Sequence, residues 1–129
     1  MFVIRDELLH QMRLVGLIDW YVPEMRMGMA YIISSVPHRE RYFKTFKFRT
    51  EDLKSQTYKP ASGDAIEFVV DVDHVVGNSA RQIEFYGHPN STAVKNRLYA
   101  QDWNLKLKLI DYNKRANTQL KLVPRPRTP

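Results

Sequence analysis

Cysteine is absent from the 129-residue chain, which excludes a disulfide scaffold, a thiol nucleophile and any zinc site built on thiolates. Histidine is sparse: His10, His38, His74 and His88 share no metal-ligand spacing, and no carboxylate cluster completes one, so no zinc or iron site is expected. Glycine numbers five and builds no phosphate-cradling loop, and the Ser, Asp and His residues form no nucleophile motif. Nothing argues for catalysis, and no cofactor is implied. No apolar run approaches the roughly 20 residues that a bilayer-spanning helix needs. The opening Met1-Phe2-Val3-Ile4-Arg5-Asp6-Glu7 turns acidic too early for a signal or transit peptide. The expectation is a non-enzymatic intracellular protein, cytoplasmic or nuclear, with no metal and no membrane partner.

What is present is a foldable core and an uneven charge. Hydrophobic residues make up 43% of the chain and aromatics 12%, too much for a wholly disordered polymer. The length suits one domain with a short appendage. Lys and Arg total 20 against 14 Asp and Glu, a formal net charge of +6, and basic domains often bind nucleic acid. The excess is local, however. Residues 1–90 hold 11 basic and 12 acidic side chains, net −1, whereas residues 91–129 hold 9 and 2, net +7. Within the first part, residues 38–59 form a local basic stretch.

The apolar pattern divides the chain into four parts. In residues 1–15, Ile4, Leu8, Met12 and Val15 recur at helical spacing with Asp6 and Glu7 in the first turn, which predicts an N-terminal helix ended by Gly16. Residues 16–87 read as five strands: 17–22, 27–34, 43–49, 65–72 and 81–86. In the third, Phe46 and Phe48 alternate with Lys47 and Arg49, so the rings are expected inside and the charges outside. Five strands in so short a stretch suggest a mainly β protein, a five-stranded Greek-key barrel of the oligonucleotide/oligosaccharide-binding (OB) type. Residues 88–123 read as a basic extension: Ser91 caps a helix to about Gln101, and Leu105, Leu107 and Leu109 alternate with Lys106 and Lys108 as the first strand of a terminal β-hairpin. Residues 124–129, Pro-Arg-Pro-Arg-Thr-Pro, form a flexible tail.

Four segments, in order, resemble the cold-shock domain family. Gly16-Leu-Ile-Asp-Trp20-Tyr21 is similar to its opening Gly-x-Val-Lys-Trp-Phe, and Met27-Gly-Met-Ala-Tyr31-Ile32 to its first RNA-binding signature, Lys-Gly-Phe-Gly-Phe-Ile. Residues 46–53 resemble the second signature, Val-Phe-Val-His-Phe-Ser-x-Ile. Gly63-Asp-Ala-Ile66-Glu-Phe68 and Gly77-Asn-Ser-Ala-Arg-Gln-Ile83 resemble the family's closing segment. The resemblance implies single-stranded nucleic acid, RNA before DNA, stacked on an aromatic face. Carried over position by position, it places Trp20, Tyr21, Met29 and Tyr31 on that face. Lys47, Arg49 and Thr50 stand where the second signature has its rings, and Tyr58 stands near a further one. Arg39, Arg41, Lys106, Lys108 and Lys121 would add auxiliary charge.

The departures leave a second function open. Met29 replaces a ring, and the second signature keeps none, although Arg49 can stack a base with its guanidinium plane. Asp19 takes the place of a lysine beside the tryptophan. Such a barrel either binds nucleic acid more electrostatically and with greater salt sensitivity, or serves as a protein-interaction or dimerisation module through its terminal extensions. Met12, Met25, Met27 and Met29 are either core filling or a protein-binding patch. Trp20, Tyr21 and Tyr31 are correspondingly either core residues or a stacking platform.

Overall fold

A computed structural model of the chain describes residues 6–34, 42–73 and 75–122. Five strands close into a barrel in the order β1-β2-β3-β5-β4. They are β1 (Arg13–Val22), β2 (Met27–Ser34), β3 (Tyr42–Arg49), β4 (Ala65–Asp73) and β5 (Gly77–Gly87). The molecule is mainly β, and the strand order is compatible with an OB-like fold. Neighbouring strands run antiparallel except β3 and β5, which meet in parallel at Lys47 and Ser79. Leu53, bridged to Ile83 after a 3-10 turn at Thr50–Asp52, is buried beside that seam.

The two-residue period of the strands sorts the side chains. Along β2, Gly28, Ala30, Ile32 and Ser34 are buried while Met27, Met29, Tyr31 and Ile33 take the opposite face. Along β3, Phe46 and Phe48 enter the core and Lys47 and Arg49 are exposed, as the alternation predicts. Phe68 packs against Phe46 at a centroid distance of 5.2 Å. Large apolar side chains of this kind each contribute about 1.5–3 kcal/mol when fully buried. Gly28 is a requirement of this packing. A Cβ there would meet the Phe48 ring and lie 2.7 Å from the Trp20 carbonyl oxygen.

Both ends of the chain depart from the sequence reading. The N-terminal helix is a single turn, α1 (Asp6–Leu9), and residues 13–15 belong to β1. Pairing overrides the helical spacing: Gln11 N–H donates to the Val70 carbonyl at 2.8 Å, and Val70 N–H donates to that of Met12 at 2.9 Å, drawing the segment onto β4. The terminal hairpin is replaced by one helix, α2 (Thr92–Leu122), of 31 residues, about 46 Å long at 1.5 Å per residue. Ser91 caps it as expected, its Oγ accepting from Val94 N–H at 3.1 Å. Leu105 and Leu109, one helical turn apart, are buried with Val94, whereas Leu107 is exposed. The spacing that suggested a strand is therefore that of a helix with one docked side. No described helix is long and apolar enough to cross a membrane. Residues 124–129 lie outside the described residues.

A side-chain amide fixes where α2 sits. The last pair between β1 and β2 is Leu17 with Tyr31, so Val15 lies beyond their ladder. Buried Gln101 takes the missing strand's place: Val15 N–H donates to Gln101 Oε1 at 2.6 Å, and Gln101 Nε2 donates to the Val15 carbonyl at 2.8 Å. On the other side of the gap, the Ser34 hydroxyl donates to Asp102 Oδ1 at 3.1 Å. The helix thus bridges β1 and β2 where they part.

Candidate functional site

The position of Trp20 depends on one inserted residue. Ile18 pairs with Ala30 and Trp20 with Met29, so Asp19 is extra on β1 and makes a bulge. Without it, Trp20 would follow Ile18 into the core two residues on. With it, Trp20 shares a face with Met29 and Tyr21 turns to the side of Gly28. Across the sheet, Trp20 pairs with Met29 and Met29 with Lys47. The next row holds Tyr31 and Thr45, and the one after it Ile33 and Phe43. The face therefore carries Trp20, Met29, Tyr31 and Phe43, with Lys47 in their midst and Arg49 beside Met27 at its far end. Lys47 forms no ion pair among the described residues.

Other predicted site residues lie elsewhere. Tyr21 stacks on Phe48 at 5.8 Å and 10°, its hydroxyl 2.7 Å from that of Thr50, so it packs against the core and holds Thr50 with it. Tyr58 leans on Phe85 and donates its hydroxyl to Asp64 Oδ2 at 2.8 Å. Burial, reinforced by that carboxylate, holds the Tyr58 phenol well above its ordinary value of 10.0. Tyr21 and Tyr58 are thus separate from the Trp20–Met29–Lys47 row. Lys106 lies on α2 with its Nζ 5.7 Å from the Trp103 ring centroid. Lys108 lines a groove on the other side of α2, with Arg13 and Arg97. Lys121 falls within α2, while its side chain, Arg39 and Arg41 lie outside the described residues.

The wall made by β4, β5 and the start of β1 has a different character. Arg13 pairs with Glu67 at 2.8 Å and Glu84 at 3.3 Å, and Lys54 also reaches Glu84. Arg81 pairs with Asp71 at 2.7 Å and Asp52 at 3.4 Å. The Lys54 hydrogen bond and charge, with Arg13 nearby, hold the Glu84 carboxyl below its ordinary value. Arg26, which pairs with Glu51 at the β1–β2 turn, lowers Glu51 in the same way.

Three aromatic residues add to this picture without having been singled out in the sequence. Phe43, 62% exposed, meets Tyr31 edge-on at 5.5 Å. The odd-numbered alternation that turns Lys47 outward also turns Phe43 outward, so its signal was present. Tyr99 and Trp103 are 73% and 59% exposed on α2, and the hairpin reading hid their common face. A shallow groove of about 160 Å³ between Ile33 of β2 and Lys95, Leu98, Tyr99 and Asp102 of α2 connects the two regions. Comparison with protein-family models, curated proteins and solved structures finds no match to this chain.

Proposed function

We propose that the β1-β2-β3 face binds single-stranded nucleic acid, with the barrel acting as a divergent cold-shock-like module. The observation that carries this reading is the outward row of half-buried Trp20 and Met29 with exposed Lys47, flanked by half-buried Tyr31 and exposed Phe43, in which a cation with no ion pair among the described residues stands among rings. Bases stack on exposed rings irrespective of sequence, at about 1–3 kcal/mol per base. Lys47 and Arg49 supply backbone contacts. Asp19, exposed beside Trp20, opposes phosphate. With two cations engaged, log K falls with log[salt] at a slope of about −1.4.

The test is a titration of the full chain with a short single-stranded oligonucleotide at low salt. Binding with that salt slope is expected, weakened about thirtyfold or more by Trp20→Ala together with Tyr31→Ala. No binding at low salt, or undiminished affinity in the double variant, defeats the reading. Light scattering distinguishes the alternative of a protein-docking barrel, for which the near-neutral first 90 residues argue. A defined oligomer in the absence of oligonucleotide binding would favour it.

A further inference from the structure

We infer that a single strand bound on the barrel face continues past Ile33 onto the outer side of α2, where Tyr99 and Trp103 stack its bases and Lys95 and Lys106 meet its phosphates. The inference rests on the reading of the barrel face given above. Three observations carry it.

The first is continuity. Ile33 pairs with Phe43 at the end of the barrel face and also lines the groove that contains Lys95 and Tyr99. The rings of Tyr31 and Phe43 lead to that groove from one side, and Tyr99 borders it on the other.

The second is the build of α2, which has two opposed apolar sides. At 3.6 residues per turn, Val94, Leu98, Gln101, Leu105 and Leu109 form the side that meets the barrel. Tyr99, Trp103 and Ile110 share the opposite side, with Lys106 among them. Core packing accounts for the first side and leaves the second exposed. The same stripe makes a poor helix-pairing seam. Its alternating four- and three-residue spacing runs Tyr99, Trp103, Lys106, Ile110, which places a lysine where a coiled coil needs an apolar residue.

The third is charge. Thr92–Leu122 holds seven basic and two acidic side chains. Both acids are engaged, Asp102 by the Ser34 hydroxyl and Asp111 by Arg115 at 3.1 Å. Lys95 and Lys106 form no ion pair among the described residues. A second copy of so basic a helix would be repelled, whereas a polyanion with flat apolar bases matches both the cations and the rings.

The chain's two tryptophans stand one on each half of the surface, so each can report on its own half. Full-length Trp20→Phe leaves Trp103 as the sole indole, and Trp103→Phe leaves Trp20; both substitutions keep a ring that can stack. A 12-nucleotide oligouridylate is expected to quench the fluorescence of both proteins with the same midpoint. Tyr99→Ala combined with Trp103→Ala should weaken binding of the 12-mer about thirtyfold or more, as loss of two stacked bases predicts. Quenching of Trp20 without quenching of Trp103, or undiminished 12-mer affinity in the Tyr99/Trp103 double variant, overturns the inference and leaves the barrel reading standing. Quenching of neither overturns both. A dimer in light scattering that Tyr99→Ala with Trp103→Ala dissociates, while oligonucleotide affinity is unchanged, also overturns it and assigns the stripe to self-association.

Discussion

On the wall formed by β4, β5 and the start of β1, outward charges close on one another: Arg13 with Glu67 and Glu84, Lys54 with Glu84, Arg81 with Asp71 and Asp52. On the wall formed by β2, β3 and the end of β1, the outward positions hold Trp20, Met29, Tyr31 and Phe43 around Lys47, which has no ion pair among the described residues. Both walls enclose the same core through the same alternation, so folding alone does not require them to differ. A wall of paired charges has already met its electrostatic needs, although Phe85 and Tyr86 of β5 are also exposed there, Phe85 packed between Tyr58 and His88. Contiguous outward rings, with Phe43 exposed and Trp20 and Tyr31 half-buried, retain apolar surface that a partner can cover. The contrast supports the proposed interface better than the total charge of +6 does, because that excess lies entirely in residues 91–129.

The largest expected effect comes from breaking the clamp that holds α2 against the barrel. Gln101→Leu keeps the volume and leaves the Val15 N–H and carbonyl buried without partners. Unsatisfied buried groups cost about 1–3 kcal/mol each, so a loss of about 2–6 kcal/mol is expected for the two. A urea titration followed by far-ultraviolet circular dichroism measures it. An unchanged midpoint would mean that the helix contributes nothing to closing the gap between β1 and β2.

Next comes a change confined to the ring-bearing wall. Gly28→Ala drives a methyl group into the Phe48 ring and the Trp20 carbonyl, and overpacking of this kind costs about 1–3 kcal/mol. Phe43→Ala, on the outer side of the same strands, should change stability far less. If the two variants unfold at the same urea concentration, the division of this wall into a packed inner side and a free outer side is wrong.

Much of this contrast was legible in the sequence. The positions of β2, β3 and β4 follow from their two-residue period, and the outward placement of Lys47 and Arg49 follows from Phe46 and Phe48. By contrast, β5 begins at Gly77, four residues before the expected strand, and its register shift leaves Ala80 and Ile83 buried and Phe85 exposed. Three features were hidden by ambiguities of period. Met12 and Val15 extend a helical spacing from Leu8, yet backbone pairing with Val70 draws the segment into β1. Leu105, Leu107 and Leu109 fit a strand, while Leu105 and Leu109 alone fit a helix, and only docking shows that Leu107 is left out. A usable signal existed in the absence of glycine and proline between Pro89 and Pro124. The bulge at Asp19 had none, because an extra strand residue shows itself only in register with its partner. It also decides which of Trp20 and Tyr21 faces outward, since adjacent strand residues take opposite faces, whereas the resemblance places both on one face.

A smaller effect sharpens the comparison in binding. Lys47→Met should reduce the salt slope of oligonucleotide binding by about 0.7, the share of one phosphate contact on a single strand. Arg81→Met, on the paired wall, should leave slope and affinity as they are. Equal effects of the two substitutions would show that charge acts at long range over the whole barrel, and the distinction between walls would lose its bearing on function.

The smallest effect belongs to the paired wall alone and is read by acid. The Glu84 carboxyl titrates below its ordinary value of 4.5, first because of its hydrogen bond to Lys54, then through that residue's charge and Arg13. A carboxyl whose folded value is depressed binds fewer protons in the folded state than in the unfolded state. Its contribution is therefore present above pH 4.5 and lost as the pH falls through the lowered folded value. Because Glu84 is solvent-exposed in its ion pairs, added salt should shrink the effect further. Lys54→Met removes the principal cause, so the stability difference between wild type and variant should narrow as the pH is taken from 5 to 3. Lys47→Met, with no acidic partner on its wall among the described residues, should track the wild type throughout. Melting temperatures across that range decide the matter, and parallel curves for Lys54→Met and wild type would show that the ion pairs of this wall contribute nothing to its stability.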